Sequence, residues 1–302
     1  MTDPVIHTEQ LTKSYGQHRG IIEVDLDVQQ GEAFGFLGPN GAGKTTMIRT
    51  LLDHIRPTSG RATIFGIDTT VDPVAIHRRL GYLPGEFTLY DKLTGGQTIE
   101  YFANLRGGVD PTYQRALVER LEIDPTRRFR EYSKGNKQKI GLVIALQHRP
   151  DLLLLDEPTS GLDPLIQQEF YGVIREAKDE GRTVFLSSHI LSEVEKTCDR
   201  VAIIREGRLV RVDRTVALRD LAHHTVELVF TGPVPSAEFE ALPGVSDVVA
   251  EDHVLRMRVS GNIAPVVRAA AQHDLADFVS REPSLEETFL AEYGRTAVEA
   301  AR

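Results

Sequence analysis

Apolar and polar residues alternate weakly from Val5 to Leu11 and clearly from Ile21 to Val28, where Ile22, Val24, Leu26 and Val28 share one face. Gln29-Gln30-Gly31-Glu32 turns the chain into a short apolar run, Ala33 to Leu37. A helix-compatible run, Thr45 to Leu52, follows it. Pro57-Thr58-Ser59-Gly60 closes that helix, and Arg61 to Phe65 predicts another strand. Leu80 to Pro84 reads as a short strand ending in a loop. From Thr94 to Leu121 the spacing becomes helical, with Ile99, Phe102 and Leu105, then Ala116, Leu117 and Leu121, at helical intervals. This predicts a helical insertion over roughly 87–147. Asp151 to Glu157 resembles a strand buried on both faces with acids at its C-terminal end. A helix from about Leu165 to Lys178 and a buried strand from Thr183 to His189 come next. Glu206-Gly207 between two further apolar stretches is a hairpin signal.

From about residue 223 the texture changes. Strands are expected at Thr225 to Phe230, Ser246 to Ala250, Val254 to Val259 and Asp277 to Arg281, with helices at Ile263 to Gln272 and Ser284 to Tyr293. The last helix begins with the capping-box pattern Ser284-Leu285-Glu286-Glu287. The chain is therefore expected to hold two domains, an α/β domain over 1–222 and a small α+β domain over 223–302.

Composition narrows the function classes. A net charge of −9 does not suggest a nucleic-acid-binding surface. Cys198 is the sole cysteine, which excludes intramolecular disulfides and multi-cysteine zinc sites and makes a reducing compartment the simplest context. No apolar run approaches the roughly 20 residues that cross a bilayer. The start, Met1-Thr2-Asp3-Pro4, is acidic and does not resemble a secretory signal. A role at a membrane would require another chain to bring this one there.

The chemistry concentrates at Gly38-Pro39-Asn40-Gly41-Ala42-Gly43-Lys44-Thr45-Thr46, which fits G-x-x-x-x-G-K-[ST] between a strand and a helix. Gly38, Gly41 and Gly43 let backbone N–H groups turn inward as an anion-binding nest at a helix N-terminus. Lys44 is expected to reach the outer phosphates, and the Thr45 hydroxyl to ligate Mg²⁺. Triphosphate hydrolysis also needs a metal anchor and a positioned water. Asp156 suits the first role. Glu157 suits the second, and it points to the opposite side of the strand if the extended conformation persists.

Leu154-Leu155-Asp156-Glu157-Pro158-Thr159-Ser160-Gly161-Leu162-Asp163 resembles the Walker B and D-loop of the ATP-binding subunits of ABC transporters. The resemblance runs over nearly all of residues 5–220. It implies a switch histidine at His189, contacting the γ-phosphate, and an adenine-stacking aromatic at Tyr15. Tyr132-Ser133-Lys134-Gly135-Asn136 lies where the family has L-S-G-G-Q, with Ser133 and Gly135 matching and opening a helix. Asn40 and Thr46 join the ATP-binding set through the phosphate loop. The implied fold class is α/β: a P-loop NTPase (RecA-like) core with an antiparallel β subdomain and a helical insertion, plus the small C-terminal α+β domain.

Two motifs depart from the family. The Q-loop glutamine falls on Gly85, which has no side chain to reach Mg²⁺ or a membrane partner; neighbouring Glu86 is the candidate substitute. Lys134 and Asn136 replace a glycine and the glutamine of the signature. The resemblance implies ATP and Mg²⁺, and a head-to-tail ATP-sandwich dimer with a second copy of the chain. It further implies an integral membrane permease as partner, no nucleic acid, and a place at the cytoplasmic face of the cell membrane. Gly81-Tyr82-Leu83-Pro84 with Tyr90 to Thr94, and the ending Pro283 to Leu290, resemble exporter ATPases with a separate permease chain. Their cargoes are drugs, antibiotics or lipids. The loop Glu86 to Tyr90 is the expected docking surface, on the strength of its apolar residues. The alternatives are a soluble ABC-type ATPase acting on ribosomes or DNA, or an ATP sensor that does not hydrolyse. A single phosphate loop and one cysteine weigh against the first; Glu157 and His189 weigh against the second.

Overall fold

The computed structural model describes residues 3–16, 18–215 and 223–281. It divides into two compact units, Met1–Asp213 and Arg214–Arg302.

The first unit begins with an antiparallel sheet in the order β2-β1-β4-β5, made from β1 (Ile6–Tyr15), β2 (His18–Val28), β4 (Ser59–Ile64) and β5 (Ile67–Asp68). Alternation in β2 holds from Val24 to Val28 but not before it. Glu23 takes a left-handed φ of 49°, the pairing with β1 shifts between Leu11 and Lys13, and Ile21 rather than Ile22 is fully buried. The second sheet is six-stranded, in the order β10-β9-β3-β8-β7-β6. Its strands are β3 (Ala33–Leu37), β6 (Leu80–Leu83), β7 (Leu152–Asp156), β8 (Thr183–Ser188), β9 (Arg200–Arg205) and β10 (Arg208–Arg214). β6, β7, β8, β3 and β9 pair in parallel. β3, β7 and β8 are buried at every residue, as continuous apolar runs covered on both faces require. The hairpin between β9 and β10 turns at Glu206 and Gly207, both at positive φ.

Helix α1 (Lys44–Leu51) follows β3, and α2 (Pro73–Arg78) is capped by Asp72. The helical insertion holds α3 (Gly95–Leu105), α4 (Pro111–Arg120) and α5 (Lys134–Leu146). A full capping box at Thr94 and Gln97 starts α3, and Gly107 and Gly108 end it before α4. The buried apolar residues of α3 and α4 are Ile99, Ala103 and Leu117, joined by Leu121 just past α4; Leu105, 65% exposed, and Ala116, both placed on the apolar face by spacing, point outward. α6 (Pro164–Asp179) is capped by Asp163, and α7 (Leu191–Thr197) follows β8.

The second unit runs β11 (His223–Phe230), α8 (Ser236–Glu240), β12 (Val245–Glu251), β13 (Val254–Ser260), α9 (Ala264–Ala270) and β14 (Leu275–Arg281). This βαββαβ order folds into one antiparallel sheet, β12-β13-β11-β14, the ferredoxin-like arrangement. Val226, Leu228, Leu255, Met257 and Val259 line one face under Phe239 and Val266 of the helices. The opposite face is charged, with Arg256 bridging Glu227 and Glu251 and Arg258 paired with Asp247. The helix expected at Ser284 to Tyr293 and the ending Pro283 to Leu290 lie outside the described residues.

Candidate active site

Strands β3, β6, β7 and β8 run the same way, so the loops at their carboxyl ends gather at one edge of the sheet. These loops carry Gly38 to Thr46, Pro84 to Glu86, Glu157 to Gly161, and His189. A cavity of about 430 Å³ opens there, lined by Asn40, Thr45, Glu86, Asp156, Glu157 and His189 together with Arg49, Tyr82, Gly85, Lys134 and Ser160.

The phosphate loop folds as its glycines demand. Gly41 and Gly43 take φ of 80° and 110°, and a Cβ on Gly38 would lie 2.3 Å from the Ile204 carbonyl. Lys44 is 6% exposed; its Nζ donates to the carbonyls of Gly38 at 2.6 Å and Pro39 at 3.2 Å. It also lies 3.1 Å from Glu157 Oε1, an ion pair without the angle of a directed hydrogen bond. Thr45 Oγ1 donates to Asp156 Oδ2 at 2.8 Å, and Ser187 Oγ donates to Asp156 Oδ1.

Glu157 does not continue the strand. Its φ is 50°, and its N–H turns back to the Ser187 carbonyl at 3.1 Å. The left-handed residue swings the carboxylate toward the phosphate loop, so it shares the cavity with Asp156 instead of facing away. Glu157 Oε2 lies 2.7 Å from His189 Nδ1, forming the chain Lys44–Glu157–His189.

Gln138 of α5, 2% exposed, donates through Nε2 to the carbonyls of Glu157 and Pro158, both at 3.2 Å. Burial, with the nearby Asp156 charge, pushes the Tyr82 phenol up to about 12, against a smaller opposing effect of Arg49. Sequence reasoning missed Ser187, Gln138 and Arg49. Ser187 carries a readable signal, a polar residue at the end of an apolar strand; Gln138 and Arg49 sit in helical runs where polar residues are ordinary.

The other predicted residues stand apart from this cluster. Ser133 caps α5 through the Asn136 N–H at 3.3 Å. Gly135 packs against the same chain's Gly161, where a Cβ would meet the carbonyl at 2.2 Å. Of the signature, Lys134 lines the cavity; Ser133 and Gly135 do not. Tyr15 is 44% exposed, with Lys13 Nζ 5.4 Å from its ring centre. It lies outside the cavity lining but borders Gly20, whose carbonyl would be 2.8 Å from a Cβ on Gly43. Gly85 has ordinary space beside it, because a Cβ would stand 3.4 Å from Asp156, so no crowding explains the missing glutamine. Phe87, expected exposed, is half-buried beside Phe129 and Gly141, whereas Tyr90 is 56% exposed.

A phosphate nest at a helix N-terminus, with hydroxyl, carboxylate and imidazole groups around one cavity, defines a P-loop ATPase. The family model "ABC transporter" matches residues 21–160. The chain is similar to the bacitracin transport ATP-binding protein BcrA of Enterococcus faecalis, 33% identical over 276 residues, covering 90% of both chains. It superposes on the structure of an ATP-binding subunit of an ABC transporter with a TM-score of 0.66 at 29% identity, covering 71% of this chain and 92% of the other. A dimeric bacterial ABC transporter cassette shares the fold, with a TM-score of 0.64 at 22% identity, covering 70% of this chain and 98% of that one. The chain belongs to the ABC transporter family and is an ATP-binding, ATP-hydrolysing transport subunit.

Proposed function

We propose that this subunit drives export of an amphipathic drug, antibiotic or lipid through a separate membrane permease. It does so as a head-to-tail dimer on the cytoplasmic face of the membrane. The Lys44–Glu157–His189 chain at 3.1 and 2.7 Å carries the hydrolytic part of the reading. The phosphate loop with Lys44 and Thr46 holds the phosphates, and Tyr15 stacks on the base. Glu157, oriented by His189, takes the proton of the attacking water.

Thr45 Oγ1 and Asp156 Oδ2 are hard oxygens 2.8 Å apart. That separation suits neighbouring ligands of an octahedral Mg²⁺, whose bonds of about 2.0–2.1 Å put adjacent oxygens about 3 Å apart. Mg²⁺, when bound, supplies neutralisation of the phosphate charge. Glu86, on the wall of the same cavity beside Gly85, takes over part of the missing glutamine's role.

Among the described residues no helix is long and apolar enough to cross a membrane, so the permease role falls to a partner. Tyr90 and Tyr101, edge to face at 5.5 Å, and the exposed Leu105 form the apolar patch on the helical insertion that suits such a partner. Ser133 and Gly135 act on ATP held by the second copy. The unit over 223–302 is an accessory domain that regulates or braces the dimer. A non-hydrolysing ATP sensor is the weaker reading, because Glu157 and His189 are held together at the cavity.

Two experiments test the proposal. Lys44→Ala should abolish nucleotide binding by the purified chain. Affinity-tagged chain, isolated from detergent-solubilised membranes, should bring down a permease whose cargo stimulates ATP hydrolysis. Retained binding by the variant sinks the site assignment, and full ATPase activity in a chain that recovers no membrane protein sinks the transport reading.

A further inference from the structure

Glu193, on the first turn of α7, is 2% exposed, and no step above uses it. Its Oε1 accepts the hydroxyl of Thr159 and its Oε2 accepts the hydroxyl of Ser188. These donors stand on two different segments: Thr159 lies two residues past Glu157, and Ser188 immediately precedes His189. Both are buried, at 5% and 0% exposure, so water does not compete for either bond. Ser188 is a junction in its own right. Its Oγ accepts the Ile190 N–H at 3.0 Å, and its carbonyl accepts the Gly38 N–H of the phosphate loop at 3.2 Å.

Each hydroxyl owns a single proton, and both protons are directed at Glu193. One carboxylate thus joins two loops with one oxygen each. Burial lifts the Glu193 carboxyl above its ordinary range, against the pull of the two hydroxyl bonds. An apolar residue would fill this space without that desolvation cost, but it would hold neither hydroxyl. Higher up, the same two loops meet again through the 2.7 Å contact of Glu157 with His189.

We propose that Glu193 is a positioning residue: it clamps the turn bearing Glu157 to the loop bearing His189 and so sets the distance between them. The inference rests on the reading of Glu157 and His189 as the water-activating pair. An acid in the first turn of a helix also has an ordinary use, opposing the helix dipole. That use does not depend on Thr159, and this difference makes the two roles separable.

The test measures kcat and KM for ATP on purified full-length Glu193→Ala, Glu193→Gln, Thr159→Val, the Thr159→Val/Glu193→Ala double variant and Glu157→Gln. Removing the clamp should lower kcat roughly tenfold in Glu193→Ala and about fivefold in Thr159→Val, with KM within about twofold, because the phosphate loop is untouched. The double variant should match Glu193→Ala alone, since Thr159 has no partner left once the carboxylate is gone. The amide of Glu193→Gln can accept from Ser188 and donate to Thr159 Oγ1, so this variant should stay within about threefold of wild type. Wild-type kcat in Thr159→Val overturns the clamp, and so do losses that multiply in the double variant. A rise in KM at unchanged kcat overturns it as well. Should Glu193→Ala fail to fold, the near-isosteric Thr159→Val and the Glu193→Gln rescue still decide. Glu157→Gln separates the two layers. Wild-type turnover there removes the site reading and the clamp with it, whereas a dead Glu157→Gln beside a fully active Thr159→Val removes the clamp alone.

Discussion

Neutralising Glu157 should tighten ATP binding before it affects hydrolysis, for a reason visible in the contacts of Lys44. An ammonium group has three donors. Here two of them have acceptors, the Gly38 carbonyl at 2.6 Å and the Pro39 carbonyl at 3.2 Å, and the ammonium also forms an ion pair with Glu157 Oε1 at 3.1 Å. An incoming phosphate oxygen competes with these contacts, and Glu157 is the anion of the three and the more weakly directed one. A close charge pair shielded from water couples by about 1.5–7 kcal/mol. The poor angle, and a Glu157 side chain that is 21% exposed, place this contact at the lower end. Releasing about 1.5–2 kcal/mol of competition corresponds to roughly 10–30-fold in Kd. Repulsion between the Glu157 carboxylate and the phosphates acts in the same direction. Glu157→Gln keeps the shape of the side chain and removes the charge. Titration calorimetry with ATP in EDTA, at low protein concentration, excludes hydrolysis and limits closed-dimer formation. Under those conditions Glu157→Gln should bind roughly 10–30-fold more tightly than wild type, and His189→Ala within about twofold of it. Equal or weaker binding by Glu157→Gln would refute this competition.

Two other perturbations follow from the packing. Gly135→Ala places a Cβ 2.2 Å from the Gly161 carbonyl, and Gly161, at φ 78°, is itself held in a glycine conformation. Thermal unfolding should show a loss of about 1–3 kcal/mol together with reduced ATPase activity, and an unchanged midpoint would mean that this contact is not tight in solution. His148 is an acid-sensitive group: burial, aided by the Arg106 charge, lowers it from 6.5 to about 4. The unfolded chain takes up this proton near pH 6.5, whereas the folded chain resists it until about 4. The stabilisation is therefore complete above 6.5 and lost as pH falls through that window. It should amount to about 2 kcal/mol after solvent screening. Urea midpoints of wild type and His148→Gln between pH 7.5 and 4.5 should converge as the pH drops, and parallel curves would reassign the acid sensitivity.

The buried strands and the phosphate loop were legible because they rest on runs that have one physical use. Leu152 to Leu155 is too apolar for a surface strand, and Gly38 to Thr45 is too rich in glycine for anything but a backbone cradle. What the pattern could not carry is where the backbone leaves its regular path. Strand periodicity placed Glu157 opposite Asp156, yet a single left-handed residue brings both carboxylates into one cavity. The bulge at Glu23 likewise exchanges Ile22 for Ile21 in the core. Short helices such as α2, α7 and α8 offer too few turns for an apolar stripe to rise above chance. α7 matters most among them, since its first turn places Glu193 against both Thr159 and Ser188, beside Glu157 and His189. A glutamate in a helix beginning Leu191-Ser192-Glu193 reads as a solvated residue. Only the fold shows that its carboxylate turns inward, onto hydroxyls contributed by the two segments that carry Glu157 and His189.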